Sequence, residues 1–357
     1  MTRLNNWPYA YYIGIDVSKL TLDIAVREYR TFLKHYRIGN NPTEIKALFQ
    51  ELREAHKIVP SKCIFGMEQT GVYCRPLLDC LSKIKANIAL EDPGHLQKSI
   101  GKVRGKNDKT DAGRIAMYLV RNKDSLVLWN AKRKILDELA GLCTLRDRLI
   151  SVQHTLSVPL KEEKSFMFPT LTEKKASICS DSLHALHSDI KKLEVYIESL
   201  WKDDERLNHL MMLITSVPGV GPITALRILI STNEFLTISD PRKFACYCGV
   251  APFSHSSGTS IRGRMKTSKI ANKKLKALIH TCALSAKRFV PEISSYYQRK
   301  TTEGKHKMSV MNAIRFKIIA RIFSCVNRGQ PYITDYIPKG QMIRKPLPEF
   351  TKAAYND

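Results

Sequence analysis

Tyr11-Tyr-Ile-Gly-Ile-Asp16-Val-Ser-Lys19, followed by Thr21-Leu-Asp-Ile-Ala-Val26, decides how the front of this chain folds. The first run is short and apolar and breaks at a carboxylate; a second strand-like run follows at once, so the pair reads as a hairpin. Outward from it, Pro42 to His56 has apolar residues at helical spacing (Ile45, Leu48, Phe49, Leu52) behind the helix-start signal Asn41-Pro42-Thr43. Lys62-Cys-Ile-Phe-Gly-Met-Glu68 is again strand-like, a helix is expected over about Gly71 to Ile84, and Asn87-Ile-Ala-Leu90 is a strand closed by Asp92-Pro93-Gly94. Hairpin strands followed by alternating strand and helix predict a mixed α/β sheet flanked by helices.

Beyond Lys109 the patterning turns helical. From Lys132 to Leu210, Ile135, Leu139, Leu142, Leu145 and Leu149, then Leu193, Tyr196 and Leu200, recur at spacings of three and four, with interruptions at Pro159 and Phe166 to Pro169. Two helices folded back on each other, or a coiled-coil arm, are expected. A unit rich in Gly, Ser and bases begins at Met211, and a Pro-punctuated tail holds Pro338, Pro346 and Pro348. The expected organisation is a domain over 9–130, a helical arm over 131–210, a mainly α domain over 211–335 and a tail over 336–357.

The 357 residues carry 58 Lys+Arg against 33 Asp+Glu, a net charge of +25. Such an excess repels itself in a compact state and is best tolerated beside a polyanion, so nucleic acid is the expected partner. The nine cysteines form no CxxC pair and no zinc-finger spacing, and read as reduced, mostly buried thiols. No signal-peptide pattern and no membrane-length apolar run is found, which leads to an expected cytoplasmic, nucleoid-associated location without a membrane partner.

Three places carry candidate chemistry. Asp16 and Glu68 each end a strand-like run, and Asp108 and Asp111 stand three apart at the start of a helix, hence on one face. Four converging carboxylates suit a hard cation such as Mg²⁺, one ion or two, which takes oxygen ligands and substrate phosphates. Singly, each acid also fits a turn cap or a helix N-terminus. In the second place, Pro218-Gly219-Val-Gly221-Pro222 opens a helix, where unpaired backbone N–H groups can hold a phosphate or where glycine merely supplies backbone freedom. The third is Pro252-Phe-Ser-His255-Ser256-Ser257-Gly258-Thr-Ser260, a serine-rich loop running into Arg262, Arg264, Lys266, Lys269, Lys273, Lys274 and Lys276 with no acid among them. A hydroxyl beside that basic run is a candidate nucleophile toward a phosphodiester, provided a base or metal activates it. His255 is read as a phosphate contact or a bystander.

The blocks Gly14-Ile-Asp16-Val-Ser-Lys19, Met67-Glu68-Gln-Thr-Gly71-Val-Tyr73 and Lys106-Asn-Asp108-Lys-Thr-Asp111-Ala112 together resemble the N-terminal domain of the DEDD transposases of insertion sequences, also called bridge recombinases. Ser216-Val-Pro-Gly219-Val-Gly221-Pro222, Ala245-Cys-Tyr-Cys-Gly249-Val-Ala-Pro252 and Ser257-Gly258-Thr-Ser260 resemble that family's C-terminal domain. The resemblance implies a RuvC-like, RNase H type fold at the front, the acidic ligand set Asp16, Glu68, Asp108 and Asp111, and a catalytic serine at Ser257. It implies further a transient phosphoserine link to DNA, a structured guide RNA pairing with donor and target DNA, and dimeric or tetrameric assembly. The rival expectations are a RuvC-like junction nuclease using only metal and water, and a non-catalytic nucleic-acid-binding protein.

Overall fold

A computed structural model of the chain describes residues 9–100, 108–163, 166, 168–257, 261–267 and 271–334; at 55, 56, 100, 253–257 and 261–266 it describes the backbone only. Ser260, Lys269 and the expected tail therefore lie outside the described residues. The chain divides into two compact units, Met1–Glu138 and Leu139–Asp357. No helix of the described residues is long and apolar enough to cross a membrane.

The first unit runs β1 (Tyr11–Val17), β2 (Thr21–Glu28), β3 (Thr31–Gly39), α1 (Pro42–His56), β4 (Cys63–Glu68), α2 (Arg75–Lys83), β5 (Asn87–Glu91), α3 (Pro93–Ile100) and α4 (Asp108–Arg121). One sheet takes the order β3-β2-β1-β4-β5. Its β1–β2 and β2–β3 pairs are antiparallel, and its β1–β4 and β4–β5 pairs are parallel. The expected hairpin is thus β1–β2, while β3 was not anticipated. Of the expected helix after Gly71, only Arg75–Lys83 is α-helical, preceded by a 3₁₀ turn over Gly71–Cys74. At the start of α1 the Asn41 side chain accepts the Glu44 N–H at 3.0 Å, and the Glu44 carboxylate accepts the Gly39 N–H at 2.6 Å, two otherwise orphaned donors satisfied in the manner of a capping box.

The two faces of the sheet differ in kind. On one, Ile13, Ile15, Leu22, Ile24, Phe65 and Met67 pack with Ile45, Leu48, Leu52, Leu77 and Leu81, mainly from α1 and α2, into the main core. On the other, the register sets His35, Ala25, Gly14, Gly66 and Ala89 side by side across all five strands. Ala25, Gly14 and Gly66 make the middle of this row a floor of small residues on which α4 lies directly. A Cβ on Gly14 would come 2.2 Å from the Ala116 nitrogen and 2.3 Å from the Ala112 oxygen, and one on Gly66 would meet the Leu119 side chain at 2.6 Å. Because backbone cannot yield as a flexible side chain can, Gly14→Val is expected to cost about 3 kcal/mol or more of stability, read as a fall in denaturation midpoint, with Ala intermediate.

The second unit contains α5 (Lys134–Glu163), whose first turns belong to the first unit, α6 (Pro169–Asp203), α7 (Glu205–Thr215), α8 (Pro222–Thr232) and α9 (Pro241–Tyr247). They are followed by β6 (Pro252–Ser257), β7 (Ile261–Thr267), α10 (Lys273–Phe289), α11 (Pro291–Thr302) and α12 (Lys307–Arg328). The expected fold-back of two helices is present: Glu194 on α6 accepts from Arg146 on α5 at 2.7 Å, and Glu163 pairs with Lys175 at 2.9 Å. The mainly α domain holds one β element among its described residues, since β6 and β7 pair antiparallel. The serine segment, expected as a loop, is therefore strand up to Ser257, because backbone pairing does not require apolar side chains.

Candidate active site

Side chains two apart on a strand share a face, so the row next to the small-residue floor lies under the same helix. Its members are Arg37, Asp23, Asp16, Glu68 and Glu91: Asp23 faces Arg37 and Asp16, Glu68 faces Glu91, and the Asp16–Glu68 neighbours follow the paired Ile15 and Met67. Four acids thus cross the sheet in one line. The helix α4 adds Asp108 and Asp111 in its first turn, where a carboxylate is favoured by the helix dipole. Its seat is set by the clearance over Gly14 and by the Ala25, Ala112 and Ala116 cluster.

The electrostatics confirm that these groups share a neighbourhood. The Asp16 carboxyl is raised from 3.8 to about 6, by burial first and then by Asp108, Asp111, Glu68 and Asp23. Both causes disfavour the ionised form. Asp23, only 3% exposed, is flanked from β3 by His35 Nε2 at 3.0 Å and by the cation Arg37, Nε at 3.8 Å. Asp111 accepts from Arg114 Nη1 at 2.6 Å. Neither Asp16 nor Glu68 has such a cation among the described residues. At the β5 end of the row, Glu91 lies 3.3 Å from His95 Nδ1, and the Tyr118 hydroxyl is 3.4 Å from the same nitrogen. Burial and then Glu91 push the Tyr118 phenol up to about 12, so it stays protonated.

The donor set suits a hard divalent cation, being all oxygen and short of positive charge at Asp16 and Glu68. Among the described residues no group of three acids, histidines or cysteines is already closed around an ion-sized space. The raised Asp16 carboxyl and the open geometry are compatible, because nearby like charges disfavour an ionised carboxylate without touching it. Arg114, Asp23 and the Glu91–His95–Tyr118 group were missed in the sequence. Arg114, three from Asp111, and His95, four from Glu91, had a local signal in their spacing; Asp23 joins the row only through strand register, and Tyr118 reaches His95 only through the seating of α4.

In the second unit the glycine turn divides. Gly219 has φ +92°, and a Cβ there would stand 2.8 Å from the Cys282 oxygen on α10, so its role is backbone conformation and close packing. Gly221 caps α8 with open space around it and no side-chain cap. Of Ser256, Ser257, Arg262, Arg264 and Lys266 the structure describes backbone alone, and it places Ser257 at the end of β6 opposite Ile261. The basic run is not uniformly free: Asp147 Oδ2 on α5 accepts from Lys274 at 2.9 Å and from Arg227 at 2.6 Å. Lys274 is therefore a tie between helices, which corrects its reading as part of an unbalanced basic surface. All nine cysteines are free, seven of them buried, and burial pushes Cys63 and Cys248 up to about 12, as expected of inert thiols.

Known proteins resemble the chain in both parts. Residues 13–162 match a transposase family model of the DEDD, IS110 type, and residues 211–298 match the model described as the transposase IS116/IS110/IS902 family. A pilin gene-inverting protein of Moraxella bovis is 24% identical over 326 residues, 90% of this chain and 97% of its own length. An insertion element IS110 protein of Streptomyces coelicolor is 29% identical over 153 residues, covering 43% of this chain and 36% of the relative. A probable family 20 transposase of Pseudomonas aeruginosa is 29% identical over 148 residues, 41% of this chain and 40% of the relative.

Proposed function

Because the chain belongs to the IS110/IS116/IS902 family of DEDD transposases, we propose that it cuts and rejoins DNA through a serine nucleophile assisted by a divalent cation. The observation that carries the metal half is the acidic row over which the N-terminus of α4 is seated. Asp16, Glu68, Asp108 and Asp111 would hold Mg²⁺, one ion or two. The sheet order, with one antiparallel meander and two parallel additions, supports the RuvC-like, RNase H type reading of this unit. When bound, the cation would supply charge neutralisation at a phosphodiester and a lowered pKa for a hydroxyl beside it.

The serine half rests on different support. The relative named for inverting a pilin gene suggests an activity in which every cut is resealed. Hydrolysis would discard the phosphodiester's bond energy, whereas transesterification keeps it. In the proposed step the Ser257 Oγ loses its proton and displaces one sugar oxygen from phosphorus. That oxygen leaves as a free hydroxyl carrying a proton, and a hydroxyl of the partner strand later reverses the exchange. Gly221, Arg262, Arg264, Lys266 and Lys269 are proposed to track the DNA backbone, Gly219 supporting the turn. A guide RNA that sets the sites, and a dimer or tetramer in which acids of one copy serve the serine of another, complete the reading.

The test is to incubate the protein with labelled DNA bearing the element's ends, with Mg²⁺ or with chelator, and to resolve products under denaturing conditions. A protein-linked strand that maps to Ser257 and disappears with chelator is expected. Free ends alone, without any adduct, would instead establish a nuclease that uses water.

A further inference from the structure

Between Asp240 and Glu292 the sequence contains no acidic residue. The β6–β7 hairpin lies within this stretch, and both its feet are tied to the same pair of helices. Before β6, the Val250 carbonyl accepts from Asn312 Nδ2 on α12 at 2.5 Å; at the end of β7, Thr267 Oγ1 accepts from Lys276 Nζ on α10 at 3.0 Å. Asn312 is in turn held by Arg315, whose Nη1 donates to its Oδ1 at 3.2 Å, while Arg315 Nε donates to His280 Nδ1 at 3.3 Å. Arg315 is only 6% exposed. Its partners among the described residues are an amide oxygen and an imidazole, neither of them an anion.

A guanidinium stays protonated, so burying it beside neutral acceptors leaves a charge without a counter-ion. The same donor fixes the state of His280. Its Nδ1 must accept, which places the ring proton on Nε2, and burial followed by Arg315 holds the imidazole pKa below its ordinary value. Lys276 stands one helical turn before His280 and therefore on the same face of α10. The result at the foot of the hairpin is an ammonium, an imidazole N–H and a buried guanidinium together, with no acid among them.

We propose that Arg315, His280 and Lys276 form an anchoring site for a backbone phosphodiester of bound nucleic acid, at the foot of the hairpin whose far end carries Ser257. It deepens the reading of the hairpin as the nucleophile-bearing element. Distance decides which phosphate is held. Pro252 to Ser257 is five strand steps at about 3.3 Å, roughly 17 Å in all. That is about five base pairs of rise along a duplex, so the anchor takes a phosphate flanking the cleavage point and not the scissile one. Its role is positioning: it sets where along the strand the serine arrives.

The experiment uses full-length protein carrying Ser257→Ala, so that binding is read without chemistry. Affinity for a duplex DNA of arbitrary sequence and for a hairpin RNA is measured by fluorescence anisotropy over a range of salt. Arg315→Met and Lys276→Met are each expected to weaken binding about tenfold and to reduce the salt slope by about 0.9, with Arg315→Lys close to the parent. The loss is expected on the duplex DNA; a loss confined to the RNA would overturn the placement beside the cleavage point. The Tm of nucleic-acid-free Arg315→Met should stay level or rise, because an uncompensated buried charge is gone. Unchanged affinity and slope on both probes would overturn the site, as would a fall in Tm with full affinity in the folded protein, which marks a structural arginine. Should Arg315→Met fail to fold, the half-buried Lys276 decides alone by the same slope. Adducts that persist in the Ser257→Ala protein would refute the nucleophile and leave this binding result standing.

Discussion

Ser257→Ala is expected to abolish the covalent protein–DNA adduct, with strand exchange falling by at least about a thousandfold, while DNA affinity changes less than about twofold. The size of the loss follows from the chemistry. No other group can carry the phosphoryl between two strands unless a neighbouring hydroxyl takes its place, and Ser256 is the adjacent hydroxyl in the chain. Ser256→Ala is therefore the control that should retain adduct formation. Adducts at ordinary yield in Ser257→Ala protein would move the nucleophile elsewhere, with Ser260 the next position to replace.

Asp16→Asn is expected to remove strand cleavage, again by about a thousandfold or more, and to make the metal-free protein more stable. The two effects have one origin. Asp16 sits partly buried among Glu68, Asp108, Asp111 and Asp23, with its carboxyl raised to about 6. A folded-state pKa above the unfolded value means that ionisation weakens the fold. The penalty therefore develops as pH rises from near 4 through 6 and is fully present at pH 7. After screening it is on the order of 1 to 2 kcal/mol, a few degrees of Tm. In chelator at pH 7 the Asn variant should melt above the parent, and near pH 4 the two should coincide. An Asn variant that melts lower at pH 7, or that still cuts DNA, would show that Asp16 is an ordinary strand-end acid.

Much of the first unit was legible because its signals are local. The β1–β2 hairpin, the Asn41-Pro42 start of α1, the strand ending at Glu68 and the helix opening at Asp108 each announce themselves within a few residues, through alternation, capping and breakers. β3 has only a weak signal: Thr31–Gly39 is mostly exposed at the sheet edge, and Lys34 interrupts the alternation of Phe32, Tyr36 and Ile38, of which Tyr36 and Ile38 reach the core. The β6–β7 hairpin stayed hidden because Ser, Gly and Arg form a ladder through backbone groups that composition does not report.

By itself the amino-acid sequence singled out the residues proposed to bear chemistry, the four acids and the serine block, and determined which segments would be strand or helix where periodicity is strong. Only the tertiary structure decided their company. Asp23 stands beside Asp16, Glu91 beside Glu68, and Arg315 behind the hairpin, because register and helix seating join positions far apart in the chain. Gly14 and Gly66 show the physical reason: they matter through the backbone that packs on them, and the distance of closest approach between two elements is written in neither one alone.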